Sequence, residues 1–219
     1  MAAVLLRMAV VWQARWVKVW LALLTLGLGV AMQVEVVRVP GYELAEVLSL
    51  VTALALWPLG VRAGRFEAQT REKPALAVAG ALGVMMLWGF AVSALALIVC
   101  LATTPCDPFV AASWLLWLVV PSMVVTAAAS VWVGARSPRW RGALLWWVVL
   151  LLASAALTAW PLVFGPQVYA FNHFGGYLPG PLYDEALSFT AGVGWFRLTT
   201  LALAVAFAGA LQVRSTSCG

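Results

Sequence analysis

The sequence predicts an all-α fold: a polytopic transmembrane helical bundle of six spans with both termini cytoplasmic. Three observations carry this reading. Apolar residues fill 64% of 219 positions and charged residues only 10%, against about a quarter charged in soluble domains. The apolar residues gather into six runs, at about 19–34, 44–61, 74–102, 110–133, 142–162 and 188–211. Basic residues fall on alternate connections: Arg7, Arg15 and Lys18, then Arg62, Arg65, Arg71 and Lys73, then Arg136, Arg139 and Arg141, then Arg214. The intervening connections hold only Arg38. Cytoplasmic loops retain Lys and Arg, so the alternation places both ends inside and three loops outside. Buried in hydrocarbon, each run must satisfy its own backbone groups and is therefore helical. No ten-residue segments alternate apolar with polar, which excludes a β-barrel.

Residues 1–18 read as an interfacial amphipathic segment. Offsets of eight and eleven residues bring Arg7, Arg15 and Lys18 to one side of a helix, with Leu5, Leu6, Val10, Val11 and Trp12 largely elsewhere. An ordinary basic region that only orients the first span fits equally well. A cleaved leader ending near Ala31 is a third reading, which would leave five spans. The first span is short, and Lys18 must snorkel. The third, at nearly thirty residues, must tilt or protrude, because about twenty suffice to cross roughly 30 Å.

Pro58, Pro121 and Pro161 interrupt the second, fourth and fifth spans, and each frees a carbonyl and permits a kink. Trp16, Trp20, Trp57, Trp140, Trp146 and Trp147 lie near inner ends and Trp160 near an outer one, the pattern of an aromatic belt. Small residues at helical spacing mark helix contacts: Gly60 with Gly64, Thr126 with Ser130 and Gly134, and Ala202 with Ala206 and Ala210.

A net charge of +5 invites a nucleic-acid reading, but the charges sit in membrane-flanking clusters and form no stripe on a soluble domain. Lipid is the expected partner and nucleic acid is not. Cys100, Cys106 and Cys218 give neither a disulfide framework nor metal-ligand spacing. There is no P-loop, HExxH, CxxC or GxSxG, so the sequence names no catalytic residue, metal or cofactor.

Two ionisable residues interrupt the apolar runs. Arg197 lies about nine residues into the sixth span, where a charge costs roughly 2.5 to 3.5 kcal/mol even on lenient scales. Glu46, the only acid within a span, is in reach of a snorkelling Arg197. The pair marks either an intramembrane charge site on a substrate pathway or, if the helix starts only near Trp195, an interfacial anchor.

The connection at 163–187 concentrates the unusual composition. It holds the only histidine, His173, together with Tyr169, Asn172, Tyr177, Tyr183, Asp184 and Glu185, and it has no basic residue. Such dense aromatics and prolines predict an ordered outer cap, and Gly175, Gly176 and Gly180 allow tight turns or a short re-entrant dip. Asp184 and Glu185 suit a cap of the sixth helix's N-terminus. Alternatively they join His173 as a cation site or an acid/base set. Residues 215–219 form a tail.

A basic amphipathic start, six spans with both ends inside, a short charged loop after the second span and an elaborate outer segment before the sixth together resemble the exporter-type ABC permease family. The resemblance covers most of the chain and is architectural, with no sequence motif behind it. It implies a permease-like subunit in the inner (plasma) membrane that works with a separate ATPase, as a homodimer or with other membrane subunits. Arg62, Arg65, Arg71 and Lys73 would then be the cytoplasmic coupling residues. The outer stretch also resembles, more faintly, bacterial membrane proteins whose multi-span part precedes a large domain, sometimes peptidase-like. A non-catalytic anchor or assembly subunit, and a membrane enzyme that uses the outer loop, are the alternatives.

Overall fold

The computed structural model describes residues 2–33, 41–70, 73–103, 107–164, 170–178 and 191–217. The chain opens with α1 (Ala2–Trp12) and α2 (Arg15–Ala31), bent against each other by 80°. The break at Gln13 and Ala14 separates Arg7 from Arg15 and Lys18, so these three do not share one continuous helix face. Helix α1 lies against α5, where Gly80 and Gly83 admit Arg7 and Met8. Helix α2 turns Val17, Leu21 and Leu28 inward.

The next helix is α3 (Tyr42–Val51), continued through a π-helical turn (Thr52–Leu56) into α4 (Trp57–Thr70). A long helix, α5 (Pro74–Thr103), follows. The device then recurs: α6 (Pro108–Trp114), a second π-turn (Leu115–Val119) and α7 (Val120–Arg136). Helix α8 (Trp140–Phe164), a hairpin of β1 (Ala170–Asn172) and β2 (Gly176–Leu178), and α9 (Ala191–Ser217) complete the order. Each π-turn ends two residues before a proline, Pro58 or Pro121. Proline has no N–H to donate, and the widened turn is where the helix absorbs that loss.

Helices α4 and α7 run side by side in the same direction and approach through small residues. A Cβ added to Gly60 would land on Ser130 Oγ, one on Gly64 on the Val131 carbonyl, and one on Gly134 on the Val61 carbonyl. Close backbone approach of this kind is how helices associate where lipid supplies no hydrophobic drive. Of the small-residue rows read from the sequence, Gly60 with Gly64 and Ser130 with Gly134 meet each other. Ala202 and Ala206 face outward.

Among the described residues, five helices are long and apolar enough to cross a membrane, or six if the bent α1–α2 pair counts as one span. The polarity of the molecule is inverted relative to a soluble protein. Phe90, Leu145, Leu152, Leu157 and Val205 are exposed, whereas Glu46, Ser49, Thr52, Ser122, Thr126, Ser130, Arg197 and Thr200 are buried. Apolar faces on the outside and hydrogen-bonding groups within suit a hydrocarbon solvent, which fits an integral, multi-pass membrane protein.

Candidate functional site

The hairpin carries the site. After α8 the chain folds back, and β1 pairs antiparallel with β2 in the register Ala170 with Leu178, Phe171 with Tyr177 and Asn172 with Gly176. Asn172 shapes the tip: its Oδ1 accepts from the Phe174 and Gly175 amides at 2.9 and 2.8 Å. Its Nδ2 donates to Thr158 Oγ1 at 3.0 Å, and that hydroxyl also lies 2.9 Å from the carbonyls of Ser154 and Phe171. Asn172 is therefore a clamp between hairpin and α8.

The tip is buried, with Phe174, Gly175 and Gly176 inside the bundle. The Phe174 ring meets Trp147 edge-on at 5.4 Å, and Trp147 stacks on Trp57 at 5.8 Å. From Thr158 to Trp147 the hairpin follows α8 for eleven positions, about 16 Å of helix. Trp147 is thus an interior residue and no lipid-facing anchor. Its Nε1 donates to the Ala53 carbonyl at 3.0 Å. In the π-turn that carbonyl faces the nitrogen of Pro58, five residues on, which has no hydrogen to offer. Trp20 Nε1 takes the neighbouring Ala55 carbonyl at 2.7 Å.

Gly176 sits beside the two buried charges, Glu46 and Arg197. Its φ of +109° is open to glycine and strained for other residues. A Cβ there would lie 2.6 Å from Glu46 Oε2 and 3.0 Å from Arg197 Nη2. Glu46 is 7% and Arg197 1% exposed. Helix α9 is continuous from Ala191 through Gly192 and Gly194, so Arg197 stands within it and faces the interior of the bundle. Its Nη2 donates to the Leu118 carbonyl of the second π-turn at 3.1 Å and its Nη1 to Ser122 Oγ at 3.4 Å. Ser122 in turn donates to the same carbonyl at 2.9 Å. Arg197 Nε and Thr126 Oγ1 are buried without a hydrogen-bond partner.

His173 closes the cluster on the α9 side. Its ring stacks on Phe196 at 4.7 Å, and its Nδ1 is 3.0 Å from Thr200 Oγ1. Thr200 Oγ1 also lies 3.2 Å from the Phe196 carbonyl. Burial first, and then the Arg197 charge, hold the His173 pKa below its ordinary 6.5, so the imidazole is neutral at neutral pH.

The structure thus gathers Glu46, Arg197, Asn172 and His173 around the hairpin. Tyr177 contributes the backbone of β2. Tyr169, Tyr183, Asp184, Glu185 and Arg71 lie outside the described residues, as do Cys106 and Cys218. Among the described residues no three His, Cys, Asp or Glu side chains converge. Of the basic residues after the second span, Arg62 and Arg65 are half-buried against α1 and α8, and Lys73 is exposed. Sequence reasoning missed Ser122, Thr158, Thr200 and the interior role of Trp147. The prolines were the available signal, because each marks where carbonyls need outside donors.

No protein-family model, curated protein or solved structure matches this chain.

Proposed function

We propose that the protein is a permease-like transport subunit of the inner membrane, with its termini and basic loops in the cytoplasm. The hairpin 170–178 enters from the outer side as a plug over a substrate site built from Glu46, Ser122, Thr126 and Arg197. The observation that carries this reading is the matched pair of π-turns, each followed by a proline, inside two long helices. The π-turn and proline of the second apolar segment recur 63 positions later in the fourth, and both flank the buried charges. π-Turns inside α-helices occur frequently at functional sites, and these two bracket a buried polar cluster. Charge kept inside a bundle at the cost of desolvation marks a pathway or a site for a ligand.

The ligand class that fits is small and polar, with a carboxylate or similar anion for Arg197 and a donor for Glu46. The energy source would be a separate ATPase. Two measurements test the reading. In spheroplasts, Ser122→Cys or Thr126→Cys reacts with a membrane-impermeant thiol reagent once the hairpin opens; lack of reaction from either side refutes a pathway. Purification in mild detergent yields an ATPase in stoichiometric amount. Recovery of a different membrane complex instead supports an assembly subunit, a reading favoured by the largely uncovered α8 face at Leu145, Leu152 and Leu157.

A further inference from the structure

A polar pocket lies at the opposite end of the bundle, independent of the charged cluster under the hairpin. Half open to the surroundings, it holds about 190 Å³ between α1, α4 and the start of α8, and is lined by Val10, Arg62, Arg65, Phe66, Gln69 and Trp140. Its donors are only partly used. Arg62 Nη2 reaches the Val10 carbonyl at a long 3.4 Å, and Arg65 Nε donates to the Ser137 carbonyl at 3.1 Å. Arg62 Nε and Arg65 Nη2 are each buried without a hydrogen-bond partner.

Unpaired guanidinium donors are expensive to bury and are normally satisfied by an anion or water. The Arg65 guanidinium also lies over the Trp140 ring at 4.8 Å, which holds the fork in place. Glu67, the only acid of α4, lines the separate and smaller cavity beyond Phe66 with Arg7 and Lys73, so it is not among the groups lining this one.

We propose that this cavity binds a phosphate group through Arg62 and Arg65. Two guanidinium forks beside an amphipathic indole, at the end of the bundle that carries the basic loops, match the phosphodiester of an anionic phospholipid headgroup. Free phosphate presents the same chemistry. Arginine suits this role because its planar fork holds two phosphate oxygens at once, which a lysine in the same place would not. The neighbouring Arg139 and Arg141 are exposed and add attraction without geometry.

The test uses the full chain, delipidated in mild detergent and examined by native mass spectrometry with equal amounts of phosphatidylglycerol and phosphatidylcholine. One phosphatidylglycerol retained with a preference of roughly tenfold is expected, lost in Arg62→Gln/Arg65→Gln and kept in Arg139→Gln. Arg65→Lys keeps the charge and loses most of the preference. Equal retention of the two lipids by the wild type overturns the lipid assignment, and equal loss in the Arg139 variant overturns the site as a specific one. Quenching of Trp140 by inorganic phosphate, absent in Trp140→Phe and without lipid preference, assigns the cavity to free phosphate. Absence of both a lipid preference and a phosphate response overturns the proposal. The wild-type comparison stands even if the double variant does not fold.

Discussion

Trp147 donates its indole N–H to the main-chain carbonyl of Ala53 at 3.0 Å, in the interior of the bundle. The bond ties α8 to a π-turn whose widened hydrogen bonding and following proline leave that carbonyl without a helical donor. The same indole is the floor on which the Phe174 ring rests. A side chain of α8 therefore both completes a broken helix and seats the hairpin.

Trp147→Phe keeps the aromatic contacts and removes the donor. The orphaned carbonyl is expected to lower stability by about 1 to 3 kcal/mol, seen as a reduced thermal midpoint in detergent. A midpoint equal to wild type would mean that water or a shifted helix bond replaces the indole.

Gly176→Ala meets two obstacles at once, a φ of +109° and the Glu46 carboxylate 2.6 Å from the new Cβ. Backbone strain of this kind costs roughly 1 to 3 kcal/mol. It should undock the hairpin before it unfolds the bundle. Faster amide exchange confined to 170–178 is expected, with α4 and α7 unchanged.

Glu46 and Arg197 flank the same glycine, so their substitutions should not add. Arg197→Met or Glu46→Gln alone leaves a buried charge with less compensation, a loss of about 3 to 5 kcal/mol. The double variant should cost less than the two single losses together. Strict additivity, measured by thermal or denaturant unfolding, would show that the two charges do not sense each other.

Hairpin docking should depend on pH through His173. Docking lowers its pKa, by burial and by the Arg197 charge, while the undocked ring titrates near 6.5. The undocked state therefore binds more protons between the docked pKa and 6.5. The contribution is fully present above about 6.5 and is lost as pH falls through the docked pKa. Exchange at 170–178, corrected for its intrinsic pH dependence, should rise on acidification from about pH 8 to about pH 5. His173→Gln should flatten that profile. A profile that persists in His173→Gln would show that His173 is not the group that titrates.

Gly64→Leu places a branched side chain on the Val131 carbonyl. Overpacking usually costs about 1 to 3 kcal/mol, and here backbone meets backbone with no flexible neighbour to yield. Loss of monodisperse protein is expected, whereas Ala202→Leu on the outward face of α9 should be tolerated.

The helices were legible because lipid leaves a twenty-residue apolar run one way to satisfy its backbone. The buried charges were legible too, since Glu46 and Arg197 each stand alone in an apolar run. What could not be read was the azimuth of each helix. Helices α5 and α8 are apolar nearly all round, so no stripe tells which side faces protein and which faces lipid. Trp147 and Trp146 are adjacent in sequence and read alike, yet one is buried and the other exposed.

By itself, then, the sequence determined a set of membrane-length helices, two charged residues inside them and a glycine-rich aromatic connection. Only the tertiary structure decided that this connection returns into the bundle, that Gly176 sits beside Glu46 and Arg197, and that the two proline-linked π-turns receive donors from Trp20, Trp147 and Arg197. The physical reason is that hydropathy fixes how a segment meets the solvent. Where backbones can touch, as at Gly60, Gly64 and Gly134, and where carbonyls lack partners are decided only when the helices pack.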